Sequence, residues 1–223
     1  MFWFAHCAKG YRMRATLKQT MLATLEGDRV TSVFEVISGG QTIGVININA
    51  NRYTARLNVE CRIFGRTFLL NDDERYSPII DKQRLRPVCI FENGQKAGEA
   101  CSTEKRFSFW SLKTYKRCLL DGYTYEIYYN QIDRKDLSSV YTGGMQVAEF
   151  EHIHTGINEP HIYEIVYTSD GSLLASVFTA LHQYLVFYLK PNRTDLKLRS
   201  YYKHVCKPEW LEKYDPQWSA MNA

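Results

Sequence analysis

The sequence predicts a mainly β domain that packs around one hydrophobic helix at about residues 173–189. Three observations carry this reading. Sixteen Tyr, eleven Phe and four Trp bring aromatic residues to 14% of the chain, and aromatic side chains favour pleated, half-buried surfaces. Short apolar runs bounded by Gly, Asn, Asp and Ser recur between residues 29 and 168, as expected of strands joined by turns. The run from Leu173 to Leu189 then sets apolar residues on every face of a helical wheel, so it requires burial in a core or a bilayer.

Bulk properties narrow the class. A chain of 223 residues suits one domain, or at most two small ones, and can bury a substantial core. Hydrophobic residues at 45% and charged residues at 23% are ordinary for a globular protein and indicate neither disorder nor a membrane bundle. The net charge of +4 and pI near 8.6 permit contact with phosphates or anionic lipid. They lack the stronger, clustered excess of a nucleic-acid binder, so no nucleic-acid partner is expected. Cys7, Cys61, Cys89, Cys101, Cys118 and Cys206 include no C-x-x-C pair and no zinc-finger spacing, which reads as reduced thiols in a cytoplasmic protein. The apolar start at residues 1–8 is too short for a signal-peptide core and suits a packed N-terminal strand.

The elements follow in order. Residues 12–26 are mixed in pattern and read as a short helix. Strand patterns then occupy residues 29–37, 42–49, 53–60 and 63–70, with a polar break at 71–78. Further strands read at 88–92, 106–111, 115–120 and 123–131, the last two joined through Asp121-Gly122. An Asp-Gly pair between strands is a strong two-residue hairpin signal, because both central residues adopt positive φ. Residues 139–141, 145–152 and 162–168 complete the set. One frame recurs: an apolar strand, a turn ending in Gly40, Gly94 or Gly144, and a small residue four positions on (Gly44, Gly98, Ala148). Gly171 and Ala175 repeat it loosely. The small residue lets the returning strand bend or approach a neighbour.

The helix run is near the lower length limit for a membrane span, and His182 and Gln183 in its second half add a cost there of a few kcal/mol. A core helix is therefore expected, with no transmembrane span. Asp170 and Ser172 are N-cap candidates, and Lys190-Pro191 suits the end. Residues 191–223 form a basic, aromatic tail whose Trp210, Tyr214 and Trp218 predict packing back on the domain or on a partner.

A β-rich chain whose last hairpin runs into a wholly apolar helix resembles the tubby C-terminal-like barrels, which include tubby, the phospholipid scramblases and the LURP-one-related proteins. The residues carrying the resemblance are 107–115, 123–129 and above all 161–184. It implies a closed antiparallel barrel of about twelve strands around a central helix, spanning residues 29–190. An N-terminal segment, residues 1–28, precedes it and a tail, residues 191–223, follows. It also implies a non-enzymatic role in binding anionic lipid headgroups or in scaffolding a protein partner. No tubby-type phosphoinositide ligand set, scramblase acylation stretch or calcium segment aligns here, so no ligand residue is carried over.

Two constellations compete for chemistry. Lys105, Arg106, Lys113, Lys116 and Arg117 interleave with Phe107, Phe109, Trp110 and Tyr115. Cations beside aromatics suit an anionic membrane interface, where each Lys or Arg near the surface contributes about 1 kcal/mol, so these five are the headgroup candidates. The alternative is a cupin-like metal-dependent enzyme. His152, His154 and Glu159 fit the H-x-H-x₄-E core of the cupin metal motif, and an H-x-H on a strand puts both imidazoles on one face. The cupin glycines and the second cupin motif are missing. No nucleophile elbow, G-x-G-x-x-G or Walker lysine occurs either, so no catalytic residue and no cofactor is assigned.

Overall fold

The computed structural model describes residues 11–54, 56–75, 86–108, 111–132, 135–153, 159–189 and 213–218, with the backbone alone for 104–108, 111–114, 131 and 187. Twelve strands follow one another: β1 (Met13–Glu26), β2 (Arg29–Ser38), β3 (Gln41–Asn51), β4 (Leu57–Ile63), β5 (Arg66–Asp72), β6 (Val88–Glu92), β7 (Gln95–Ser108), β8 (Ser111–Leu120), β9 (Tyr123–Ile132), β10 (Lys135–Thr142), β11 (Met145–Ile153) and β12 (Ile162–Tyr167). Each pairs antiparallel with its sequence neighbours, and β12 pairs with β1 to close the barrel. Closure removes both sheet edges, the usual liability of an open β-sheet. A helix, α1 (Asp170–Gln183), follows β12 and continues into a π-helical turn, Tyr184–Tyr188.

The sheet is closed at residues expected to be helical. Residues 12–26 are not a helix; Met13–Glu26 is the longest strand together with β7, each of 14 residues. Ala15, Leu17 and Gln19 alternate inward, and the segment fills the gap between β12 and β2. Local pattern was ambiguous, and pairing on both sides decides the outcome. The barrel consequently begins at Met13 rather than at residue 29.

The two ends of the barrel differ. At one rim the hairpins turn through Gly39-Gly40, Phe64-Gly65, Asn93-Gly94, Asp121-Gly122 and Gly143-Gly144, each with positive φ at both residues. These are the primed two-residue turns whose twist matches that of the flanking strands. The Phe64-Gly65 turn displaces the strand boundary read near residues 61–62. At the opposite, open rim the connections vary, from the two residues Gly27-Asp28 between β1 and β2 to the longer links between β5 and β6 and between β11 and β12, and α1 ends there.

Three of the tight hairpins share one construction. In β2–β3, β6–β7 and β10–β11 the register slips by one residue just past the turn, bulging Ile43, Ala97 and Val147. The carbonyl of each bulged residue accepts a backbone hydrogen bond from the next turn: Phe64 N at 3.0 Å, Asp121 N at 3.3 Å and Thr168 N at 3.1 Å. The same unit thus recurs every fourth strand. In the third copy the return strand is replaced by α1, and β1 takes its place in the wall. The looser fourth frame is no hairpin, because Gly171 lies within the helix.

The helix occupies the barrel interior. Ser169 caps it through a reciprocal capping box with Ser172, which satisfies donors that a helix start leaves unpaired. Every residue from 172 to 183 is buried. Its rings meet rings of the wall, Phe178 edge-on to Phe68 at 5.2 Å and Tyr184 edge-on to Phe34 at 4.9 Å.

Candidate functional site

The β7–β8 hairpin departs from the wall. β6 pairs with β7 only as far as Ala100, and β9 pairs with β8 only as far as Lys116. Beyond those points residues 103–108 and 111–115 pair only with each other among the described residues. The result is a two-stranded arm at the open rim. At its root Tyr115 stacks on Tyr128 with centroids 5.9 Å apart.

Strand alternation divides the five basic candidates. Cys118 and Leu120 point inward, so Lys116, two residues before Cys118, shares the inner face and Arg117 the outer one. By the register Lys105 lies opposite Lys113, at the parity of Arg117, and Arg106 lies opposite Leu112, at the parity of Lys116. The side chains of Lys105, Arg106 and Lys113 lie outside the described residues, as do Phe109 and Trp110. Arg117 reaches Glu99 across the strand pair at 3.3 Å. Lys116 is therefore not a surface headgroup ligand: its amine is enclosed within the barrel, 3.0 Å from His182 Nδ1.

That contact belongs to a polar chain which sequence reasoning missed. His182 Nε2 lies 2.6 Å from the Arg86 carbonyl oxygen, so this nitrogen carries the proton and Nδ1 is left as an acceptor for the Lys116 amine. The Arg86 guanidinium meets Asp72 at 2.5 Å and 2.7 Å, and both side chains are almost wholly buried. The second Asp72 oxygen also accepts from Leu57 N at 2.9 Å. Burial holds both His182 and Lys116 well below their ordinary values, and the Lys116 charge adds to the effect on His182. One signal existed in the sequence: a histidine in an all-apolar helix must find a hydrogen-bond partner.

The metal reading finds little geometry. His152 is buried rather than at the surface. Its Nε2 shares a hydrogen bond of 2.9 Å with His161 Nδ1, and its Nδ1 lies 3.4 Å from the Tyr188 hydroxyl. Tyr163 stacks on the His152 ring at 4.4 Å. Glu159 is exposed, and His154 lies outside the described residues. Among the described residues no three metal-binding side chains come together, and no helix is long and apolar enough to cross a membrane.

Cys61, Cys89, Cys101 and Cys118 are free thiols; burial pushes the Cys61 and Cys118 thiols far above their ordinary value, as it does for inert core cysteines. Cys7 and Cys206 lie outside the described residues. From the tail, residues 213–218 lie on the outer wall. The Tyr141 hydroxyl donates to the Lys213 carbonyl oxygen at 3.0 Å, and Trp218 is buried beneath the Arg12 guanidinium at 4.4 Å.

Compared with known proteins, the chain matches no family model, no curated protein and no solved structure.

Proposed function

We propose that the protein is a non-enzymatic, tubby-like barrel whose β7–β8 arm docks on an anionic membrane surface. The observation that carries this reading is the register of Lys105 directly opposite Lys113. Like charges facing each other across a strand pair cost stability, and on an arm leaving the barrel wall that cost is offset when an anion lies between or above them. In the sequence Phe107, Phe109 and Trp110 interleave with these cations, and aromatic rings are enriched at the headgroup level of a membrane. The interior supports a binding role over a catalytic one, since α1 occupies the space where a barrel enzyme would hold its substrate.

Co-sedimentation with vesicles of phosphatidylserine and phosphatidylcholine tests the arm. Binding is expected at low salt and is weakened by added salt. Lys105→Glu with Lys113→Glu lowers affinity by about 30-fold or more, taking about 1 kcal/mol for each lost lysine. Lys116→Glu is not a valid probe of the surface, because that amine is internal. Absence of binding to anionic vesicles at low salt sinks the membrane reading, and undiminished binding by the double variant removes the arm from it.

A further inference from the structure

The outer wall over β9 and β10 is buried where an outer wall would meet water. Ile127 and Val140 belong to the core, so Tyr128, Leu137 and Ser139 face outward by strand alternation, yet all three are buried. Residues 213–218 are held on the outside of the barrel at each end by a cation over an aromatic ring, with the roles exchanged. At one end Lys213 Nζ of the segment stands 5.3 Å from the Tyr141 ring and 5.9 Å from the Tyr128 ring. At the other, the Arg12 guanidinium of the barrel stands 4.4 Å over the Trp218 ring of the segment. We propose that this wall is a peptide-recognition site for a lysine followed five residues on by a tryptophan, and that residues 213–218 are its ligand in cis, a detachable strap. The site is separate from the arm surface and does not depend on the membrane reading.

The lysine subsite is a corner of tyrosine rings. Tyr128 and Tyr141 meet with centroids 5.8 Å apart and planes at 73°, and Tyr115 stacks against Tyr128. The Tyr128 hydroxyl donates to Glu126 at 2.8 Å, which fixes that ring. The Tyr141 hydroxyl donates to the Lys213 carbonyl oxygen at 3.0 Å, so the same residue reads the backbone of the strap and its ammonium. Aromatic corners of this kind attract a cation through the ring quadrupole, and quaternary ammonium groups are their best ligands. The tryptophan subsite lies beside the start of β1, where Trp218 is buried. Between the two anchors Asp215 sets the spacing: its carbonyl oxygen accepts from Trp218 N at 3.0 Å and its carboxylate from Gln217 N at 2.9 Å. In the sheet β11 and β12 separate β10 from β1, so the strap ties the two sides of the closing seam. Each anchor is individually modest, and a peptide offering the same two groups can take its place.

The test uses a fluorescein-labelled peptide of residues 211–220, made with Lys213 unmodified, trimethylated or acetylated. The receiver is the full chain carrying Lys213→Ala and Trp218→Ala, which removes both anchors of its own strap. Fluorescence anisotropy is expected to show binding with the trimethylated peptide tightest. The acetylated peptide, which has lost its charge, binds about tenfold weaker or more, in line with the loss of a cation between two rings. The unaltered chain is expected to bind each peptide at least about tenfold weaker than the double variant, because its own strap competes. No binding to the double variant overturns the proposal, as does equal affinity for the acetylated and trimethylated peptides. Equal affinity of the unaltered chain and the double variant shows that the strap does not occupy the site, and overturns it too. If the double variant fails to fold, trypsin digestion of the unaltered chain decides. Trypsin cleaves after lysine but not after trimethyl-lysine, so an excess of the trimethylated peptide should speed cleavage after Lys213 of the chain, read by peptide mass mapping. An unchanged cleavage rate refutes the detachable strap.

Discussion

His182 shows what a single polar residue demands inside an otherwise apolar plug. Both ring nitrogens are used, one toward the Arg86 carbonyl and one toward Lys116, and burial keeps the ring neutral. A stability consequence follows with a definite sign. The unfolded chain takes up a proton at this residue as pH falls through its ordinary value of 6.5, while the folded protein does not. The folded pKa is depressed, so the unfolded state binds the extra proton and stability is lost as pH falls below 6.5. The slope from this group approaches about 1.4 kcal/mol per pH unit. Urea unfolding at about pH 7 and about pH 5 measures it. His182→Gln is expected to flatten the loss over that interval, and an equally steep loss in the variant places the sensitivity elsewhere.

At the scale of elements, the repeated hairpin makes its own demands on side-chain size. A Cβ added at Gly98 would lie 1.9 Å from the Leu119 carbonyl oxygen, inside any possible contact, whereas at Gly44 the closest atom is the Ile63 Cγ1 at 2.7 Å. The third copy already carries a Cβ at Ala148, which faces Tyr167 of β12. Gly98→Ala must therefore push backbone apart and is expected to cost about 3 kcal/mol or more, at the upper end of overpacking effects. Gly44→Ala also meets backbone, the Arg62 carbonyl oxygen at 2.9 Å, but far less deeply than at Gly98, and costs less. Denaturant midpoints with unchanged m-values test the order; equal midpoints would mean that the bulge can relax. The three hairpins were legible in the sequence because turn glycine and small residue are local signals, as was Asp121-Gly122. The Phe64-Gly65 turn was not, since an aromatic residue at a φ of 53° runs against turn propensity. The β1 strand was equally hidden, because its pairing with β12 joins residues far apart in the chain. The candidate site suffered for the same reason. Five cations adjacent in sequence were read as one patch, but strand alternation sends Lys116 inward, and its partners Arg86 and His182 come from distant segments.

For the whole molecule, strand number and helix are two halves of one constraint. About eight strands give a barrel that side chains alone can fill; twelve leave a wider interior, and an α-helix with its side chains, about 10–12 Å across, fills it. The three-unit wall explains where that helix comes from, since α1 stands where the third unit would have its return strand and β1 restores closure from the other terminus. Neither part has a separate core: the wall's Phe34, Phe68 and Phe150 are fully buried in one cluster with Leu174, Phe178 and Leu181 of the helix. Barrel and helix are therefore expected to unfold in a single step. Phe178→Ala removes the ring packed on Phe68 and should cost about 3–5 kcal/mol. That loss should register equally in far-ultraviolet circular dichroism, which follows the sheet and helix, and in near-ultraviolet signals from the wall's aromatic residues. Coincident transitions shifted together to lower denaturant confirm one cooperative unit. A variant in which the far-ultraviolet transition holds its midpoint while the near-ultraviolet one moves would show a barrel that stands without its plug.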